Sequence, residues 1–447
     1  MNTSAHVPLA DLLTRGPYQA YSYSYPHKTA YRPLAQPRSL DALWATQNRG
    51  ALFAYVHVPF CTMRCGFCNL FAMAQPDAAL VDGYVDAVIR QMRAMDRVLG
   101  ERRFARLALG GGTPTYLSAG HLERLYAGAR DILGIDLHAL PSSIEASPET
   151  VTRERLDVCR AAGVTRVSMG IQSFSERETR ALARPQQGAV VGAAIEEIRR
   201  AGFPVMNLDL IYGIEGQTVA TLLASIDSAL AFRPEELYLY PLYVREQTGL
   251  GKLAIRRAQA AGDDRLALYA AARRHLMDAG YDQVSMRMFR APHAPAEDGP
   301  VYCCQEDGMV GLGAGARSYS TTLHYSTGYA VARAPTRDLV AEFIAHDEAR
   351  FMRAEHGFEL DEDERKRRYV IQSLLTRPGL DHAAYAQRFG TRGADDFSQL
   401  RELVAHGLAQ DDGRLLSLTP RGVSLSDSIG PWLVSPAVLA RMRHAPC

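Results

Sequence analysis

The stretch "LFAYVHVPFCTMRCGFCN" at residues 52–69 sets an apolar run directly before three closely spaced cysteines. The run "LFAYVHV" (52–58) is rich in β-branched and aromatic residues, and Pro59 cuts it off, so it predicts a buried strand that ends where the cysteines begin. Further runs of the same kind follow: "RFARLALGG" (103–111), "SSIEAS" (142–147), "VTRVSMGIQSF" (164–174), "VMNLDLIYG" (205–213) and "ELYLYPLYV" (236–244). Amphipathic stretches at 78–99, 119–133, 149–162, 188–201 and 218–231 lie between them. Strand and helix alternating in this way predict right-handed βαβ units around a parallel sheet. Six such strands point to an α/β fold, a partial (β/α)6 barrel of TIM-like construction.

The chemically capable residues fall at one end of those strands. Cys61, Cys65 and Cys68 follow the first, Gly110 to Thr113 the second, Glu145 lies on the third, Gln172 on the fourth, Asp209 on the fifth and Tyr243 on the sixth. Barrel enzymes build their sites from that rim.

Cys61, Cys65 and Cys68 make a C-x3-C-x2-C run. Thiolates are the usual ligands of iron–sulfur clusters, and three of them hold three irons of a [4Fe-4S] cluster while the fourth keeps an open position. The competing reading is structural zinc, which requires four protein ligands in a closed tetrahedron. No second Cys or His pair follows at finger spacing, and His57, the one nearby substitute, sits in the strand itself.

"YVHVPFC" together with "GGGTPT" (110–115) resembles the radical S-adenosylmethionine (SAM) enzymes, in the HemN-like branch typified by oxygen-independent coproporphyrinogen III oxidase, with similarity also to the class C radical SAM methyltransferases. The resemblance implies a [4Fe-4S] cluster on Cys61, Cys65 and Cys68, and SAM bound to its open iron. It places Tyr55, Gly111 and Glu145 against that SAM, with Gly110 in the run that pairs with its amino group. It assigns Phe67, Gly112, Thr113, Gln172, Arg184, Asp209 and Tyr243 to a second, adjacent SAM. The catalytic set so implied is Cys61, Cys65, Cys68 and Tyr55. A reductase such as flavodoxin or ferredoxin is the implied electron donor, and a planar or unsaturated small molecule the implied substrate.

Two departures bear on the reaction. Asn69-Leu70-Phe71 follows the third cysteine where the porphyrin-processing enzymes usually carry a fourth, and "GYDQVSMRMFRAP" (280–292) has Arg287 and Met288 where they carry Asp-His. These favour SAM-derived methyl or methylene transfer to an sp2 carbon, with decarboxylation of coproporphyrinogen-like propionates and haem carriage as alternatives.

A formal net charge of +1 over 447 residues, 22% of them charged, gives no electrostatic case for nucleic acid or an anionic membrane. No apolar stretch reaches the length of a membrane span, and the N-terminus lacks a signal-peptide layout, so a cytoplasmic monomer is expected. Seven cysteines without a regular framework suit a reducing compartment. The expected organisation is an N-terminal Tyr/Pro-rich extension at 1–48, the barrel and its extension at 49–330, a linker at 331–359 and a mainly helical, winged-helix-like unit at 360–447.

Within the extension, Tyr18, Tyr21, Tyr23, Tyr25 and Tyr31 predict first an edge-strand face and second an aromatic cover over the barrel mouth, with His27, Lys28 and Arg32 as anion contacts. Cys159 reads as core. Cys303, Cys304 and Cys447 carry no assignment, and Arg317 in "GMVGLGAGARSYS" (308–320) reads as either a carboxylate ligand or a surface charge.

Overall fold

The computed structural model describes residues 7–14, 16–22, 24–256, 263–296 and 304–443; Tyr23, Cys303 and Cys447 lie outside the described residues. Its main sheet contains β1 (Arg32–Ser39), β2 (Leu52–Val58), β3 (Phe104–Gly111), β4 (Ser142–Ala146), β5 (Arg166–Gln172), β6 (Val205–Tyr212), β7 (Glu236–Pro241), β8 (Asp282–Gln283), β9 (Met288–Arg290), β10 (Met309–Leu312), β11 (Arg317–Tyr319), β12 (Leu323–Ser326) and β13 (Arg353–Glu359). Strands β2 to β7 lie side by side in chain order, each parallel to the next, which is the partial (β/α)6 barrel.

Parallel neighbours require a crossover, and helices supply it. The first, Ala78–Leu99, starts at Asp77, whose carboxylate accepts from Leu80 N–H at 2.8 Å, and stops at Gly100 with φ of 54°. Its buried stripe of Val81, Tyr84, Val85, Val88, Met92 and Met95 packs into the core with the outward faces of the strands. Helices Ala119–Asp131, Arg153–Ala161, Gly188–Ala201 and Val219–Ala231 cover the later strands.

The barrel does not close. Beyond β7 the antiparallel β9 and β8 extend one edge, and beyond β2 the parallel β10 leads to an antiparallel series β11, β12, β13 and β1. Residues 331–359, expected as a linker, are instead the helices Arg333–Ala345 and Glu348–Phe351 followed by β13. Phe343 of the first of these packs on Tyr84 at 5.4 Å between ring centroids, an apolar anchor that a free linker would lack.

Tyr18, Tyr21, Tyr25 and Tyr31 do not alternate along a strand, because β1 begins only at Arg32. Tyr18 meets Tyr212 at 6.0 Å and Tyr21 meets Tyr240 at 6.2 Å, both edge-on, so the segment lies across the strand ends rather than along an edge.

From residue 360 the helices Glu362–Leu374, His382–Phe389 and Gln399–Ala405 precede a hairpin, Ala409–Asp411 with Leu415–Leu418, which Leu380–Asp381 joins as a third strand. This winged-helix-like unit has its own core around Ile371, Tyr385, Leu403 and Trp432, to which Leu9 and Tyr25 of the N-terminal segment also belong. Among the described residues, no helix is long and apolar enough to cross a membrane.

Candidate active site

Cys61 ends a two-residue strand, Phe60–Cys61, that pairs with Met73–Ala74, so the cysteine loop is tied at both ends. Between the ties, Cys68 N–H donates to the Cys65 carbonyl at 3.1 Å. Gly66 is gripped from two sides: its N–H donates to Leu182 O at 3.0 Å and its carbonyl accepts from Leu250 N–H at 2.8 Å. A Cβ at Gly66 would stand 2.8 Å from Ala183 Cβ and 2.9 Å from Leu182 O, so only glycine fits there.

The glycine run closes over this loop. Gly112 N–H donates to Val58 O and Thr113 N–H to Phe60 O, each at 2.8 Å. A Cβ on Gly112 would lie 2.7 Å from Phe60 O and 3.0 Å from Cys61 Sγ. Gly111, at φ of +117°, covers the His57 ring. His57 lies 2.9 Å from the Phe71 carbonyl through Nε2, which fixes the hydrogen on that atom, and burial pushes its pKa down to about 4.

A cavity of about 180 Å³, open to solvent on one side, collects the three cysteines with Phe67, Gly111, Gly112, Thr113, Glu145, Gln172, Arg184 and Asp209. Tyr55, Gly110 and Tyr243 stand outside its lining. Tyr55 and Gly110 pack behind it, the tyrosine hydroxyl 3.3 Å from His57 Nδ1. Tyr243 lies beyond the end of β7, under the guanidinium of Arg245 at 5.1 Å, and burial with the nearby Asp427 pushes its hydroxyl up, although no well-aligned hydrogen bond joins the two.

Two carboxylates face the lumen. Solvent wets Glu145, yet the barrel wall encloses it, and that enclosure pushes its carboxyl up to about 7 against the Gly111 N–H donated at 3.0 Å. Asp209 is likewise raised by enclosure, to about 6, while the Asn207 amide at 2.7 Å opposes the rise. Below them Arg166 and Arg290 clasp the buried Glu236, at 2.6 and 3.0 Å. Sequence reading missed Asn207, Arg166 and Glu236, although their i, i+2 spacing to Asp209, Ser168 and Tyr238 is the signal for a shared strand face.

Gln172 sits where the β5–β6 register slips by one residue, with φ of +70°. Such a backbone costs about 1–3 kcal/mol in a non-glycine residue and clusters at functional sites. Arg184 donates to Gly170 O at 2.8 Å and approaches Cys65 Sγ at 3.7 Å, while its Nε is buried without a partner.

Three features test the cavity for an iron–sulfur cluster and SAM. Cys61, Cys65 and Cys68 all line this one cavity, as a cluster held by three thiolates requires, and among the described residues no fourth Cys or His joins its lining to complete a tetrahedral zinc site. Burial pushes the Cys61 thiol up to about 12 and raises Cys65 also, so these sulfurs are inert as free thiols and require a metal to deprotonate them. The buried, partnerless Arg184 Nε and the two enclosed carboxylates are matched to a ligand bearing both a carboxylate and a cation. The residues fit both groups.

The family description "Radical SAM superfamily" matches residues 55–229, and "HemN C-terminal domain" matches 360–425. The chain is 28% identical to the oxygen-independent coproporphyrinogen III oxidase of Salmonella typhimurium, across 91% of this chain and 90% of that protein. It is 27% identical to the heme chaperone HemW of Bacillus subtilis, across 84% of this chain and 97% of that one. The solved coproporphyrinogen III oxidase (HemN) of Escherichia coli shares the fold, with a TM-score of 0.77 at 24% identity over 93% of this chain and 97% of that structure.

Proposed function

Because the chain belongs to the radical SAM superfamily, in its HemN-like branch, we propose that it is an oxidative enzyme acting on a propionate-bearing, coproporphyrinogen-like tetrapyrrole. The observation that carries the radical SAM part is the single cavity in which three thiols, two enclosed carboxylates and a buried guanidinium meet at the C-terminal ends of parallel strands. The preference for methyl transfer drawn from the sequence departures is withdrawn. The relatives that span the chain are coproporphyrinogen III oxidases and heme chaperones.

Cys61, Cys65 and Cys68 would hold the cluster, and SAM would occupy the lumen beside it. When bound, reduced cluster and SAM together supply a 5′-deoxyadenosyl radical that takes a hydrogen atom from substrate carbon. The chain's own part is placement. Gly111 and Gly112 bring backbone close to the ligand without side-chain interference, Glu145 and Asp209 offer negative charge to a sulfonium, and Arg184 offers its free N–H to a carboxylate. Phe67, Thr113 and Gln172 line the same cavity and are assigned with Asp209 and Arg184 to a second SAM, while Tyr55 and Gly110 support the first from behind. Tyr243, outside the lining, is assigned to the mouth instead.

At the mouth, burial first, and then the charges of Lys28, Arg317 and Arg245, hold the pKa of His27 down, and the three cations gathered about it are a concentration of positive charge suited to propionates. Tyr21 against Tyr240 gives a planar substrate an aromatic surface. A flavodoxin- or ferredoxin-type reductase is the proposed electron source.

The test is anaerobic turnover of the reconstituted, reduced enzyme with SAM, coproporphyrinogen III and a one-electron acceptor, since each vinyl formed gives up one hydrogen atom to the deoxyadenosyl radical, carbon dioxide, and one further electron that the acceptor must take. Deoxyadenosine with carbon dioxide and a vinyl-bearing product is expected. Labelled methyl appearing in the product would restore one-carbon transfer, and tight haem binding without SAM cleavage would move the protein to the chaperones.

A further inference from the structure

Strand β5 ends in an unusual three-residue turn. Ser173 N–H donates back to Ile171 O at 2.9 Å, closing the chain around Gln172, which is held at φ of +70°. Turns of this left-handed kind are rare and strained in L-residues, so something outside the strand must hold this one. The slip of register at this point also removes the ladder bond that a regular strand would provide.

The holding groups come from the loop after the helix Glu176–Ala181. Gln186 Nε2 donates to Ile171 O at 2.6 Å and to Ser173 O at 3.2 Å, so one amide grips the carbonyls on both sides of Gln172. Arg184, two residues earlier, takes Gly170 O at 2.8 Å. The Gln172 side chain then folds across Gly170, where a Cβ would come within 2.6 Å of its Nε2, and stays at the cavity wall, 8% exposed. Gln186 does not line the cavity.

We propose that Gln186 is a positioning residue: its amide clamps the strained turn so that Gln172 keeps its side chain at the ligand cavity. The inference rests on the reading of that cavity as a SAM site. It makes Gln186 important to binding without contact with the ligand, and it requires Gln186 to act through Gln172.

The experiment compares wild type, Gln186→Met, Gln172→Ala and the double variant as anaerobically reconstituted holoenzymes, reading SAM dissociation constants by equilibrium dialysis. Gln186→Met should weaken SAM binding about tenfold in the wild-type background and less than about twofold in the Gln172→Ala background, since residues acting as one unit are not additive. Losses that multiply would overturn the proposal.

Hydrogen exchange on the same four proteins without SAM gives an independent readout. Exchange should quicken in Gln186→Met at the peptide covering 170–174 and not in the helix Ala78–Leu99; uniform quickening, the mark of a merely structural role, would overturn it too. Should wild type bind no SAM, the site reading fails, while the exchange pattern still decides whether Gln186 holds the turn.

Discussion

Glu145 holds its proton to higher pH in the folded, ligand-free protein than it would in the unfolded chain. Its carboxyl is raised by enclosure from the usual 4.5 to about 7. The native state therefore binds more protons between those values, and its stability falls as pH rises through that window, then levels off. Glu145→Gln removes the effect. In the ligand-free protein it should match wild type at pH 5 and melt about 2 °C or more above it at pH 8, which differential scanning fluorimetry resolves. SAM affinity should move the opposite way: strong for wild type at pH 8, weaker at pH 6, and weak at both for Glu145→Gln. What was legible at this scale was chemistry carried by composition: the cysteines, the glycine run, an acid or amide stranded in an apolar run. Gln186, Asn207 and Gly66 were not legible, because each matters only through a neighbour that the chain brings back from elsewhere. Tyr243 shows the reverse case, a residue two positions past its strand's last residue, Pro241, that lies outside the lining of the cavity.

Elements were legible where their pattern is local. The run 52–58 is β2 residue for residue, and the stretches 78–99 and 188–201 are helices to the same bounds. Within "LAQDDGRLLSLT" (408–419) a hairpin forms from Ala409–Asp411 and Leu415–Leu418, with Asp412 and Gly413 in the connection. Strands β1 and β13 escaped because each is defined by its partner: Arg32 pairs with Gly357, and β1 has mostly exposed side chains with no core-facing alternation to betray it. The cysteine loop is an element whose shape is imposed by close backbone contact rather than by its own propensity. Gly66→Ala should force Leu182 and Ala183 away and misplace Cys65 and Cys68. Far-UV circular dichroism should remain that of wild type, while iron per chain and visible cluster absorbance after reconstitution fall several-fold. Full iron loading in that variant would show that the loop yields more readily than its contacts suggest.

At the scale of the whole molecule, a buried ion pair joins the barrel's edge to the C-terminal unit, as Arg368 and Glu306 do elsewhere. Arg287 donates to Asp427 and, at 3.1 Å, to the Tyr212 hydroxyl, with Arg287 3% and Asp427 1% exposed. Removing one member strands the other charge, which costs about 3–5 kcal/mol, whereas replacing both by apolar groups is often close to neutral. Arg287→Met should accordingly lower the urea midpoint markedly, and Arg287→Met combined with Asp427→Leu should recover most of the loss. Equal losses in the single and double variants would mean that the seam depends on Arg287 for its stacking on Tyr21, at 5.1 Å, more than for its charge.

The N-terminal segment also sets an order of assembly. Gln19 and Ala20 hang from the carbonyl of Asp427, Tyr25 donates to Glu364, and β1 pairs with β13 alone. These three tethers of the N-terminal segment all end on residues 353–427, far along the chain from it. A ribosome that has delivered strands β2 to β7 has delivered Tyr212 and Tyr240, on which Tyr18 and Tyr21 rest, but none of these tethers, so the cover over the rim is tied down only once residue 427 has emerged. For that interval the thiols lie behind a cover not yet tied down, which is when the iron and sulfide needed at the bottom of the cavity have their easiest way in.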